Sequence, residues 1–347
     1  MNLLFFSRGK GRGHAVPDSA IAEELQRVYP TLSITFVSYN VGAEILKHRG
    51  WRVIDLGLAE DNPFWDVLTK ILSVFLLEQP DLVVSHEEFS VVPIAKAFGR
   101  PVIFMTDWLI DPKAINMQAL EFADQIIFLD DPGFYDISED LARKIAYVGP
   151  MLGVSKTHNG ETRTEARCKL KIPIDAKVVL VAPGGAAQHS EARAPIARLM
   201  LDAYDLLDLQ NKCLMWVADD PDFELLNSMS KERSDILIMK PHLNFASTMI
   251  AADLVITKAN RISVLEAQSL GIPSISISFG NNPVDDYRVS RIRSNLALRG
   301  RGLDKRILAR YMTTRLVDAS STYTDIGSAT PALQIAQSMR PYLDGPQ

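Results

Sequence analysis

The chain has 347 residues, 47% hydrophobic and 23% charged, with a formal net charge of −5. This is globular composition at a length too great for one ordinary core, so two domains are expected. The acidic balance argues against a general nucleic-acid binder, which carries a basic footprint. The only two cysteines, Cys168 and Cys213, have no metal-ligand spacing and fit a reducing compartment.

Along the first half the hydrophobic period alternates. Residues 2–7 (NLLFFS) read as a strand, 19–28 (SAIAEELQRV) as a helix and 32–38 (LSITFVS) as a strand. A short helix over 41–49, a strand over 51–56 and a helix over 65–78 follow. Then come strand 81–85 (DLVVS), helix 91–98, strand 101–105 (PVIFM) and strand 125–129 (QIIFL). The polar stretch 155–171 after "YVGPM" reads as the interdomain linker or its immediate sequel. The alternation then restarts with strands at 177–182, 212–218, 236–239, 254–257 and 274–277. Helices are expected between them at 192–207, 225–231, 244–251 and 263–270, with a last helix over 331–342. Such alternation predicts βαβ units and mainly parallel sheets. The expected fold class is α/β with two Rossmann-like domains facing across a cleft. The domains are 1–149 and 150–330, and the segment 331–347 is expected to pack back on the first. Ligands in such folds sit at the carboxyl ends of the strands.

"MNLLFF" lacks the features of a signal peptide. The most apolar stretch, 64–77, is interrupted by Asp66, Thr69 and Lys70 and falls short of the roughly 20 residues that span a bilayer. A cytoplasmic location is expected, with peripheral membrane contact left open. Phe64, Trp65, Leu68, Ile71, Leu72 and Phe75 recur at helical spacing, which suits either core packing or a membrane-surface face. The basic run 288–306 suits a solvated face or an anionic lipid or acceptor.

Three segments carry candidate chemistry. The first is "RGKGRGHAVPD" (residues 8–18). It fails the dinucleotide fingerprint because His14 stands where the third glycine belongs, and it fails the Walker pattern at His14 and Ala15. What remains is strand, glycine turn and helix, with Gly11 and Gly13 letting the backbone approach a ligand. Near a helix N-terminus the His14 pKa is expected to fall, leaving a neutral ring that accepts a proton. The second is "VAPGGAAQHSE" (181–191), where Gly184 and Gly185 precede a helix and suit a diphosphate or a plain turn. The third is 251–278. Its Ser263 and Glu266 form either a capping box or a site in which the Glu266 carboxylate accepts from a ribose diol.

Together, "GRGHAVPDSAIAEEL" and "ADLVITKANRISVLEAQSLGIPSISI" resemble the GT-B glycosyltransferases. The similar branch holds the bacterial peptidoglycan N-acetylglucosaminyl transferase and the plant and bacterial glycolipid synthases. Gly11-Arg12-Gly13-His14-Ala15-Val16-Pro17 matches the first motif of that branch. Ala252-Asp253, Ser263, Glu266, Gly271 and Pro273 match the second. "RPVIFMTDW" and "YVGP" are similar to further family segments. The resemblance implies a nucleotide-sugar donor, usually uridine-linked, held by the second domain, with the acceptor on the first. It puts Glu266 on the ribose, Ser263 with Gly184 and Gly185 on the diphosphate, and His242 and Leu243 near the base. His14 is implied as general base. The turn "TKANRIS" departs from the family's glycine, so Lys258, Asn260 and Arg261 either contact the diphosphate or mark a rebuilt turn. Asp285 and Asp286 are a loose match to sugar-holding positions.

The implied reaction is an inverting transfer without a metal and without a cofactor beyond the nucleotide-sugar substrate. The acceptor class, small molecule, glycan or lipid, stays open. Asp107 is a candidate partner for His14, or an N-cap. "DDPDF" (219–223) reads as a turn in preference to a metal-binding pair. A nucleotide-sugar hydrolase and a non-catalytic subunit with the same shell are the alternatives.

Overall fold

The computed structural model describes residues 1–9, 13–58, 64–107, 119–130, 132, 137–152, 161–183, 190–218, 220–231, 233–240, 245–258, 261–278, 283–317 and 331–344. The chain divides into two units, Met1–Gly153 with Gly327–Gln347, and Val154–Ile326.

The first unit is built on a parallel sheet of β1 (Asn2–Ser7), β2 (Ser33–Ser38), β3 (Val53–Asp55), β4 (Leu82–His86), β5 (Val102–Thr106), β6 (Gln125–Phe128) and β7 (Ile145–Tyr147). Its order is β3-β2-β1-β4-β5-β6-β7. Side chains of a strand alternate between faces. Leu3 and Phe5 accordingly enter one core, and Leu4 and Phe6 the other. Burial on both faces is why β1 reads as a continuous apolar run rather than an alternating one. The order reverses direction between β1 and β4, which makes the loops after those two strands flank a topological switch point.

The second unit repeats the plan with β8 (Lys177–Ala182), β9 (Lys212–Val217), β10 (Ile236–Met239), β11 (Leu254–Lys258), β12 (Ser274–Ser278) and β13 (Asn295–Arg299). The order β10-β9-β8-β11-β12-β13 puts its switch point between β8 and β11. There the Thr257 hydroxyl donates to the Ala182 carbonyl at 3.0 Å and ties the two strand ends together.

The polar stretch 155–171 contains the helix Arg163–Leu170, opened by a reciprocal capping box between Thr162 and Glu165. Arg167 and Arg163 pair with Asp253 at 2.6 and 3.1 Å, so the polar side chains there bind the helix to the sheet end. "DDPDF" leads into the helix Asp220–Met229 instead of forming a turn. The sequence reading also missed β7, β13 and the helices Pro283–Ser290 and Lys305–Val317. In the helix Phe64–Glu78, Ile71 and Phe75 are core residues, whereas Leu72, Leu76 and Leu77 are exposed. No helix of the described residues is long and apolar enough to cross a membrane.

Candidate functional site

The switch point of the first unit gathers a cluster of polar side chains. His14 stands at the N-cap of helix α1 (Ala15–Val28) without capping it through its side chain. Asp18 lies one helical turn further on, and the His14 carbonyl accepts from its amide at 2.9 Å. His86 ends β4 and Glu87 follows it. Consecutive strand residues normally point to opposite faces. Glu87 has φ 61°, a left-handed backbone that side chains rarely adopt and that breaks the alternation here. Both residues therefore reach His14. Its Nε2 lies 3.0 Å from Glu87 Oε2, and its ring meets that of His86 edge-on at a 4.4 Å centroid separation.

Glu87 is 3% exposed and fully engaged. Arg8 Nη1 donates to Oε2 at 3.1 Å and Thr106 Oγ1 to Oε1 at 3.0 Å. Burial works to raise the Glu87 pKa. The hydrogen bond and charge of His14, with His86 and Arg8, outweigh it and hold the carboxyl down to about 2. An ionised carboxylate only accepts, so the His14 proton sits on Nε2 when the ring is neutral. The lone pair is then on Nδ1, which is buried and has no hydrogen-bond partner among the described residues. The His14 pKa lies below its ordinary value, first through burial and then through the charge of His86, against the opposing pull of Glu87 and Asp18. The direction is the one the sequence suggests, but its leading cause is burial.

A second relay runs beside the first. His86 Nδ1 lies 2.6 Å from Asp18 Oδ1, and Ser7 Oγ donates to Asp18 Oδ2 at 2.5 Å. Asp18 is wholly buried. Burial lowers the His86 pKa, but the charge and hydrogen bond of Asp18, with the charges of Glu87 and Asp107, outweigh it, and the net shift is upward. Asp107, the expected partner of His14, instead contributes to the field at His86. The carboxylate on His14 is Glu87, and that corrects the assignment. Donor atoms of His14, His86 and Glu87 lie within 4.8 Å of one another, a spacing that can hold a metal ion. Three donors already occupy Glu87, one of them the Arg8 guanidinium, which opposes a cation.

Of the loop glycines, Gly11 lies outside the described residues. A Cβ added at Gly13 would meet nothing within 4 Å. Gly9 is the constrained one, because a Cβ there would fall 2.1 Å from the Tyr39 carbonyl oxygen.

In the second unit, Gly184, Gly185, His242, Leu243 and Asn260 lie outside the described residues. Lys258 ends β11, and Arg261 opens the helix Arg261–Ser269 at the switch point. Because the helix starts at Arg261, Ser263 is not its N-cap and the capping box is excluded. Glu266 is instead a mid-helix carboxylate, 7% exposed. Asp285 and Asp286 lie on the helix Pro283–Ser290, and Asp286 accepts from the Ser278 hydroxyl at the end of β12. Sequence reasoning missed Glu87, His86 and Asp18. The available signal was "SHEE" at the end of a buried strand, since three ionisable residues there call for a role at a switch point.

No family model matches the chain. In sequence it is similar to a transferase of Fusobacterium nucleatum, the UDP-N-acetylglucosamine–N-acetylmuramyl-(pentapeptide) pyrophosphoryl-undecaprenol N-acetylglucosamine transferase. The two are 22% identical over 306 residues, covering 85% of this chain and 83% of the relative. In structure it is similar to Acinetobacter baumannii MurG, with a TM-score of 0.65 at 12% identity, over 98% of this chain and 99% of the other. The chain has the GT-B glycosyltransferase fold. It is also similar to the UDP-GlcNAc 2-epimerase of Neisseria meningitidis bound to UDP-GlcNAc, with a TM-score of 0.72 at 14% identity, over 98% and 99%. The family resemblance carried by the motifs around His14 and Glu266 therefore holds along nearly the whole length.

Proposed function

We propose that this protein is a glycosyltransferase that moves a sugar, N-acetylglucosamine in the first instance, from a UDP-linked donor to an acceptor hydroxyl. The observation that carries the reading is the state of His14. Glu87 engages Nε2, and the buried Nδ1 has no partner among the described residues. Nδ1 takes the proton of the acceptor hydroxyl as that oxygen attacks the anomeric carbon. The bond from the anomeric carbon to the diphosphate breaks, and UDP leaves with the electron pair. A single displacement of this kind inverts the anomeric centre.

The leaving diphosphate gains negative charge. Lys258 and Arg261, at the start of a helix and the second switch point, supply positive charge of the right kind, as do the helix amides. In this reading Gly184 and Gly185 add backbone donors, Asn260 and Ser263 join them, and Glu266 holds the ribose. His242 and Leu243 meet the base, and Asp285 and Asp286 the sugar. No metal is needed. The relatives bearing the transferase name use a lipid-linked acceptor by that name. For this chain the acceptor class is open, including one presented at a membrane surface.

Sugar release to water or epimerisation is the second reading, favoured by the higher structural similarity to the epimerase. The two readings separate on whether UDP release depends on the acceptor.

The test begins with thermal shift in UDP, which stabilises the folded state in proportion to the logarithm of its concentration over Kd. Glu266→Ala should abolish the UDP shift; an unaltered shift removes Glu266 from the donor site. His14→Ala should keep the UDP shift and lose turnover by roughly 10²-fold or more. Retained turnover would eliminate His14 as base.

A further inference from the structure

The end of β4 and the turn after it deliver two residues to His14, and the transfer chemistry above uses only Glu87. His86 is not placed to be a second base. Its Nδ1 is bound to Asp18 at 2.6 Å, Asp18 is wholly buried, and Ser7 holds the other carboxylate oxygen. An imidazole tied to a buried carboxylate keeps its proton. Yet its ring stands at 70° to that of His14, with centroids 4.4 Å apart, in direct edge-to-face contact.

We propose that His86, anchored through Asp18 to Ser7, is a positioning residue for His14: it fixes the plane of the His14 ring and, as an imidazolium, keeps the proton off His14 Nδ1. The proposal rests on the reading of His14 as base. It also accounts for a basic group at the buried end of β4. Glu87 alone would stabilise a doubly protonated His14, because a carboxylate at 3.0 Å attracts the charged ring. The positive charge of His86, with its ring 4.4 Å away, offsets that attraction, leaving the carboxylate to set the tautomer without setting the charge.

Among the described residues, the charged groups around His14 are Arg8 beyond β1, Asp18 on α1, His86 at the end of β4 and Glu87 just beyond it. Asp107 beyond β5 acts on His86. Among the groups acting on His14, Glu87 and Asp18 raise its pKa and His86 lowers it. The sign of the test follows directly. Removing His86 raises the His14 pKa, and the acid limb of the pH–rate profile moves to higher pH.

The experiment compares kcat/KM against pH for the native chain and for His86→Asn, whose amide can still donate to Asp18. The acid limb should move up by roughly one pH unit or more, as expected for loss of a unit charge within about 5 Å. A lower rate with an unmoved limb would overturn the proposal, because a purely structural role predicts that result. Should the variant not fold, imidazole NMR titration of the native chain decides. His86 should titrate at higher pH than His14; the reverse order, or a shared midpoint, overturns it. Turnover in His14→Ala would defeat the base reading itself, whereas the NMR order reports on the His86–His14 pair independently of turnover.

Discussion

At Glu87 three demands meet: a left-handed backbone, near-complete burial and an ionised carboxylate. Each costs free energy, and together they persist only because Arg8, Thr106 and His14 saturate the side chain. The carboxylate is therefore more than a structural plug, since a glycine would satisfy the backbone at lower cost. Glu87→Gln keeps the shape and removes the charge. Its amide offers a donor as well as an acceptor, so the ring of His14 is no longer held in one tautomer. We expect kcat/KM to fall by roughly 10²-fold or more while the UDP-induced thermal shift is retained. An unchanged kcat/KM would show that the carboxylate does not govern the base. His14 itself was legible in the sequence, because its position in a glycine turn between strand and helix is local. Glu87 was not, because its meeting with His14 spans 73 positions and depends on β4 lying beside β1.

At the scale of elements, Gly9 shows what a local motif leaves out without its neighbours. Its freedom from a Cβ admits the chain itself: the Gly42 amide donates to the Gly9 carbonyl at 3.3 Å, and the two residues crowd each other where the helix Asn40–His48 begins. Added bulk at Gly9 meets backbone, which cannot swing aside as a side-chain tip does. Gly9→Ala should destabilise the chain by about 2 kcal/mol or more. It should also depress turnover by displacing Arg8 from Glu87. A shifted denaturant midpoint together with reduced kcat checks this, and wild-type values in both would show the turn to be loosely held. The missed elements have physical reasons of their own. β13 is an edge strand, exposed on alternate residues, and carries too few apolar side chains to stand out. In the helix Lys305–Val317, Leu308, Met312 and Leu316 recur every four residues and are buried, but a basic run leading into it hid the period.

For the whole molecule, the doubled β/α alternation announces two units, but the chain does not divide at a single point. The helix Pro331–Ser338 follows the whole of the second unit and belongs to the first. Ala332, Ile335, Ala336 and Met339 enter the core formed by Leu3, Phe5, Ile21 and Leu25. An amphipathic helix with such a stripe fits many aliphatic surfaces, so spacing shows that it packs but not where. Its partner is helix α1, which carries His14 at its N-cap and Asp18 in its first turn. The last helix thus buttresses the element that presents the base, although it is distant in sequence. Ile335 is fully buried, and Ile335→Ala should cost about 2–5 kcal/mol through lost transfer energy and a residual cavity. That loss should fall on the first unit alone. Native-state hydrogen exchange reads the partition, because amides of 2–7 and 177–182 report the two cores separately. Faster exchange in 2–7 with unchanged exchange in 177–182 is the expected result. Equal acceleration in both would mean that the two sheets unfold as one cooperative body, and no change in either would remove the last helix from the first core.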